Sequence, residues 1–108
     1  MPRIVLGNLT IDRDRFDVHV DGRAVDVTYV EFELLYALAK NAGKATSRDR
    51  LVAAGWPEPP DETRRLTVHI SRLRKKLRGS SPWRIETITK RGYILRDTSA
   101  EANDLRAG

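Results

Sequence analysis

Residues 64–78 read Arg64-Arg65-Leu66-Thr67-Val68-His69-Ile70-Ser71-Arg72-Leu73-Arg74-Lys75-Lys76-Leu77-Arg78, and no acid falls between residues 63 and 78. On a wheel of about 100° per residue, Leu66, Ile70, Leu73 and Leu77 lie within about 60° of one another. This i, i+4, i+7, i+11 stripe is the mark of a helix with one buried face. Arg65, Val68, Arg72 and Lys75 cluster within about 80°, some 150° away from the leucines. His69 and Lys76 take one flank; Arg64, Ser71, Arg74 and Arg78 take the other. The segment has a narrow apolar back and a cationic front interrupted by one valine.

The charge of the whole chain gathers around this segment. The 108 residues carry 20 Lys plus Arg and 15 Asp plus Glu, a formal net charge of +5. Residues 1–60 are nearly balanced at −1, residues 61–96 hold +8, and the tail from Asp97 holds −2. Such a concentration raises a local potential that draws a polyanion. A solvated charged face is the alternative, but residues 63–78 offer no i,i+4 acid to offset their mutual repulsion.

A surface valine between arginines is poorly explained by solubility and well explained by a front that enters the DNA major groove. Arg72 there meets guanine O6 and N7 with two hydrogen bonds, Val68 touches a thymine methyl, and flanking cations, Lys75 among them, reach phosphates. Arg72 bridging an acid elsewhere in the fold is the competing assignment.

Working outward, Asp61 is placed to cap this third helix, which is expected over 61–78. Before it, Gly55-Trp56-Pro57-Glu58-Pro59-Pro60 breaks the chain, since proline removes a backbone donor and fixes φ. Thr46-Ser47 caps a short second helix over 48–54, with Leu51 and Val52 inward. Thr28-Tyr29-Val30-Glu31 is a capping box that opens a first helix ending near Asn41-Ala42-Gly43, with Phe32, Leu35, Leu38 and Ala39 inward. Upstream, Ile4-Val5-Leu6 and Leu9-Thr10-Ile11 flank a Gly7-Asn8 turn. Phe16, Val18 and Val20 then alternate with Asp17 and His19, and Asp21-Gly22 is a hairpin turn that pairs Val18 with Val25 and Phe16 with Val27. Downstream, Ile85 and Tyr93-Ile94-Leu95 belong to a hairpin whose tip carries Lys90, Arg91 and Gly92. The expected architecture is α+β: an N-terminal antiparallel β-sheet, three helices and a C-terminal β-hairpin wing over residues 1–96. A polar tail is expected over 97–108.

Three stretches together resemble a known family. Val27-Thr28-Tyr29-Val30-Glu31-Phe32-Glu33-Leu34-Leu35, Gly43-Lys44-Ala45-Thr46-Ser47-Arg48-Asp49-Arg50-Leu51, and Arg65 through Leu77 followed by Arg91-Gly92-Tyr93 are similar to the OmpR/PhoB-type winged-helix output domain of bacterial response regulators. The likeness covers residues 4–96. It implies a winged helix-turn-helix serving transcription regulation in a two-component system, with 61–78 as recognition helix and a wing over 85–95 at the minor groove. It further implies base reading by Arg65, Val68 and Arg72. Phosphate contacts are implied for Arg64, His69, Arg74 and Tyr93, and for backbone N–H groups around Thr46 and Ser47. For His69 an idle surface position, and for Tyr93 a core position, stay open beside these roles.

The family's usual wing-tip arginine position is occupied here by Thr89, which moves the minor-groove role to Lys90 or Arg91. Trp56 is expected against the third helix. A loop over 55–60 facing RNA polymerase and pairing of two copies on direct-repeat half-sites also follow from the resemblance. The output half of a longer regulator with a separate receiver and a free-standing domain are both open.

Other functions find little support in the residues. There are no cysteines, which removes thiol nucleophiles, disulfides and zinc fingers, and two separated histidines do not make a metal site. No cofactor is expected. No nucleophile–base pairing or glycine-rich phosphate loop suggests an enzyme. No apolar run approaches the ~20 residues of a membrane span, so a cytoplasmic protein without a membrane partner is expected. The alternative function is a basic interaction module that docks an acidic protein.

Overall fold

A computed structural model describes residues 3–58, 64–78 and 82–98. Within them the chain forms β1 (Arg3–Leu6), β2 (Leu9–Asp12), β3 (Asp17–Val20), β4 (Arg23–Val25), α1 (Tyr29–Lys40), α2 (Arg48–Gly55), α3 (Arg64–Leu77), β5 (Trp83–Ile88) and β6 (Gly92–Asp97). Strands β1 to β4 make an antiparallel meander in sequence order, and β5–β6 form a separate two-stranded hairpin.

The Asp21-Gly22 turn has φ of 54° and 77°, the positive pair that a two-residue hairpin of this hand requires. It sets Val18 opposite Val25. Leu9, Ile11, Val18 and Val20 then share the buried face of the meander, while Thr10 and His19 pair on the other. Phe16 departs from the expected alternation. It lies outside β3 with φ of 56°, and β4 ends at Val25, so no Phe16–Val27 pair forms. Its ring stacks instead on Phe32 at 4.0 Å and on Tyr29 at 5.5 Å. Contact with α1 outweighs continuation of the strand.

The capping box forms as its residue types dictate: Glu31 N–H donates to Thr28 Oγ1 at 3.2 Å, and Thr28 N–H donates to Glu31 Oε1 at 2.9 Å. Phe32, Leu35, Leu38 and Ala39 are buried, joined by Leu34 and Tyr36, because α1 packs against the other two helices and both sheets. Ser47 caps α2 by accepting from Arg50 N–H. Gly55 closes α2 against α1, where an added Cβ would come within 3.3 Å of Val30 Cγ1.

Leu66, Ile70, Leu73 and Leu77 are each at most 2% exposed, so the leucine stripe of α3 is its inner face. Burying each such side chain contributes about 1.5–3 kcal/mol. The hairpin extends further than expected, over 83–88 and 92–97. Trp83 Nε1 donates to the Leu6 carbonyl at 3.0 Å, tying β5 to β1. The expected Asp61 cap, Pro59 and Pro60, and the tail beyond Thr98 lie outside the described residues.

Candidate nucleic-acid interface

The outward face of α3 is set by its inward one. Because the leucines anchor the helix over α1 and β5, Arg65, Val68, Arg72 and Lys75 turn to solvent, and Val68 remains 45% exposed. Neither Arg65 nor Arg72 forms an ion pair with an acid among the described residues. The bridging role considered for Arg72 is therefore absent from this set. The side chain of Arg64 is outside the described residues.

On the flanks the side chains are already engaged. Lys76 reaches back to Glu31, with Nζ–Oε1 at 2.5 Å, where Glu31 is 1% exposed. Burial by itself would raise the Glu31 pKa, but the bonds from Lys76 and Thr28 prevail and hold the carboxyl below the usual glutamate range. His69 packs its ring edge-on to Trp56 at 5.4 Å, which is the expected seat of Trp56 beside the helix. Burial first, then the positive charges of Arg72 and Arg65, push the His69 pKa down against the opposing field of Glu31. Its Nδ1 is buried without a hydrogen-bond partner among the described residues. The imidazole is therefore neutral at pH 7.

Arg74 sits differently from the solvent-facing cation expected for a phosphate contact. Its Nε donates to the Ile85 carbonyl at 2.7 Å and its Nη2 to Thr87 Oγ1 at 2.6 Å, both on β5. The guanidinium also lies over the Tyr93 ring, 5.7 Å from its centroid. Tyr93 is 3% exposed, so its ring belongs to the core, the second of the two positions left open for it.

The wing is fastened to the start of α2. Thr46 N–H donates to the Tyr93 carbonyl at 2.7 Å, and Tyr93 N–H returns a bond to the Thr46 carbonyl at 3.0 Å. The Thr46 N–H is thus committed to the wing and is not free for an anion, which corrects the expectation drawn for it. Thr46 is itself buried, while Ser47 remains at the helix start. Gly92, at φ 117°, permits this approach: a Cβ there would stand 2.0 Å from the Thr46 carbonyl oxygen. Beyond it, Lys90 (φ 65°) and Arg91 are exposed at the tip. They border an open groove of about 490 Å³ shared with Ser47, Arg48 and Thr89. Arg48 enters this groove from the first turn of α2, beside the Ser47 cap.

These parts lie on elements that known proteins share. Residues 22–95 match the family model described as "Transcriptional regulatory protein, C terminal". The alkaline phosphatase synthesis transcriptional regulatory protein PhoP of Bacillus subtilis is 36% identical over 98 residues, covering 88% of this chain and 41% of that protein. The chain thus spans about two-fifths of this relative's length. Among solved structures, the DNA-binding domain of RstA from Klebsiella pneumoniae, in complex with the RstA box, superposes with a TM-score of 0.76 at 35% identity, covering 90% of this chain and 99% of that one. The DNA-binding domain of CpxR from E. coli gives 0.76 at 30% identity, covering 90% and 98%. With its meander, three helices and C-terminal hairpin, the chain belongs to the transcriptional regulatory protein C-terminal family, the winged-helix domains of OmpR/PhoB type.

Proposed function

We propose that this domain binds double-stranded DNA sequence-specifically to regulate transcription, with α3 in the major groove and the β5–β6 wing at the minor groove. The observation that carries the reading is Val68, exposed between Arg65 and Arg72 on the face opposite four buried aliphatic side chains. An apolar notch among arginines matches a groove that offers thymine methyls between guanine acceptors. The RstA relative was solved with its RstA box, which supports the same use of this fold.

Arg72 and Arg65 are assigned to base edges and Val68 to a methyl. Arg64, Lys75, neutral His69 and the start of α2 at Ser47 are assigned to phosphates, which position the domain without reading sequence. Lys90 and Arg91 are assigned to the minor groove. Two copies on direct-repeat half-sites about one helical turn apart suit a domain that reads one groove segment with one helix. The loop over 55–60 is assigned to RNA polymerase. No helix among the described residues is long and apolar enough to cross a membrane.

The test is titration of a labelled duplex of arbitrary sequence at low salt, followed by salt addition. With five to eight phosphates engaged, log K falls with log salt at a slope of about −5 to −7. Absence of binding at low salt contradicts the proposal and favours an acidic protein partner.

A further inference from the structure

The geometry points to Arg74 as a positioning residue that locks the wing to the recognition helix, so that one rigid unit addresses both grooves. This inference rests on the DNA-binding reading above and assigns Arg74 a role within it other than phosphate contact. Arg74 leaves α3 one turn before its end and spends its Nε on the Ile85 carbonyl and its Nη2 on Thr87 Oγ1. The two acceptors, a backbone carbonyl and a side-chain hydroxyl, belong to residues two apart on β5. A guanidinium holds Nε and Nη2 as two donors in one fixed planar fork, whereas an ammonium must reach both acceptors from a single nitrogen at the end of a flexible stem.

The same guanidinium covers Tyr93, whose backbone holds Thr46 in a reciprocal pair of hydrogen bonds. Arg74 therefore stands where α3, the wing and the entry to α2 meet. A cation so placed costs burial and gives up part of its hydrogen-bonding capacity toward a ligand. What it gains is a fixed angle between the helix carrying Val68 and Arg72 and the hairpin carrying Lys90 and Arg91.

Charge and geometry are separated by two substitutions. Arg74→Lys keeps the charge and loses the fork; Thr87→Val removes one acceptor and leaves every charge in place. Affinity for a labelled duplex of about 30 base pairs is measured at low salt for these variants, for Arg74→Met, and for each combined with Lys90→Ala and Arg91→Ala. Arg74→Lys is expected to fall about tenfold, as far as Arg74→Met, with Thr87→Val losing less. The wing-tip alanines should cost less in the Arg74→Lys background than in the wild type, because a wing already misaligned has less to lose. Wild-type affinity in Arg74→Lys beside a loss in Arg74→Met overturns the inference in favour of a plain phosphate contact, as does strict additivity with the wing tip.

A DNA-free arm keeps the two readings apart. Residual dipolar couplings of backbone N–H groups report the orientation of β5–β6 relative to α3. A change in Arg74→Lys and Thr87→Val supports the lock, and unchanged couplings overturn it. Failure of the wild type to bind any duplex would sink the DNA-binding proposal while leaving this arm to decide the role of Arg74.

Discussion

Arg72 and Lys75 share one face of α3, yet different consequences follow from their substitution. If Arg72 donates to a guanine edge, Arg72→Ala removes about 1–3 kcal/mol of discrimination between cognate and scrambled duplexes. Lys75→Ala, which removes a phosphate partner, should weaken both duplexes alike and lower the salt slope by about one. Competition binding on the two duplexes checks this, and equal losses for both variants contradict base reading. His69 gives a prediction in pH. Its folded pKa is depressed by burial and by two arginines, so the unfolded chain takes up that proton first. The sign of the linkage is that stability is full above the ordinary histidine value of about 6.5 and declines as pH falls below it. An NMR titration of the His69 ring should give a midpoint below that value. The exposed front was legible in the sequence because a wheel shows which residues face away from the leucines. The partners of Arg74 were not, because a wheel says nothing about a strand eleven residues later. Lys76 was likewise placed on a flank without its partner, Glu31, which lies 45 residues away.

Among the elements, α1 and α2 were the most legible part, since each carries a local cap: Thr28 with Glu31 for α1, and Ser47 for α2. Phe16 shows where period-two reading fails. Its alternation with Val18 continues the strand pattern, but the ring is drawn onto Phe32 and the backbone turns left-handed. The junction of wing and α2 depends on Gly92, so Gly92→Ala should destabilise the domain by about 2 kcal/mol or more, through positive φ and collision with the Thr46 carbonyl. Urea melts check it, and a wild-type midpoint would contradict the close approach. Between α1 and α3, Glu31→Gln leaves Lys76 half-buried without its counter-charge and should cost about 1–3 kcal/mol at pH 7. Because the Glu31 carboxyl sits below its usual range, its contribution is present above about pH 4.5 and is lost as pH falls through the folded value. The difference between wild type and Glu31→Gln should therefore shrink in melts run at about pH 3.

For the molecule as a whole, its charge and its dimensions both bear on how it meets a duplex. Residues 64–78 and 83–96, which hold α3 and the wing, carry eleven basic side chains against one acid, Glu86, while residues 1–60 are nearly neutral. The Cα extents are 45 × 33 × 25 Å. Half-sites one helical turn apart stand about 34–36 Å from centre to centre, a spacing comparable with these extents. The most direct test of the account is selection of bound duplexes from a random pool, run in parallel with wild type and Arg72→Ala. The account predicts that the wild type recovers a defined sequence, repeated at about one helical turn, and that Arg72→Ala recovers a degenerate one at the base it reads. Recovery of the same sequence by both proteins, or of no preferred sequence by the wild type, would contradict it.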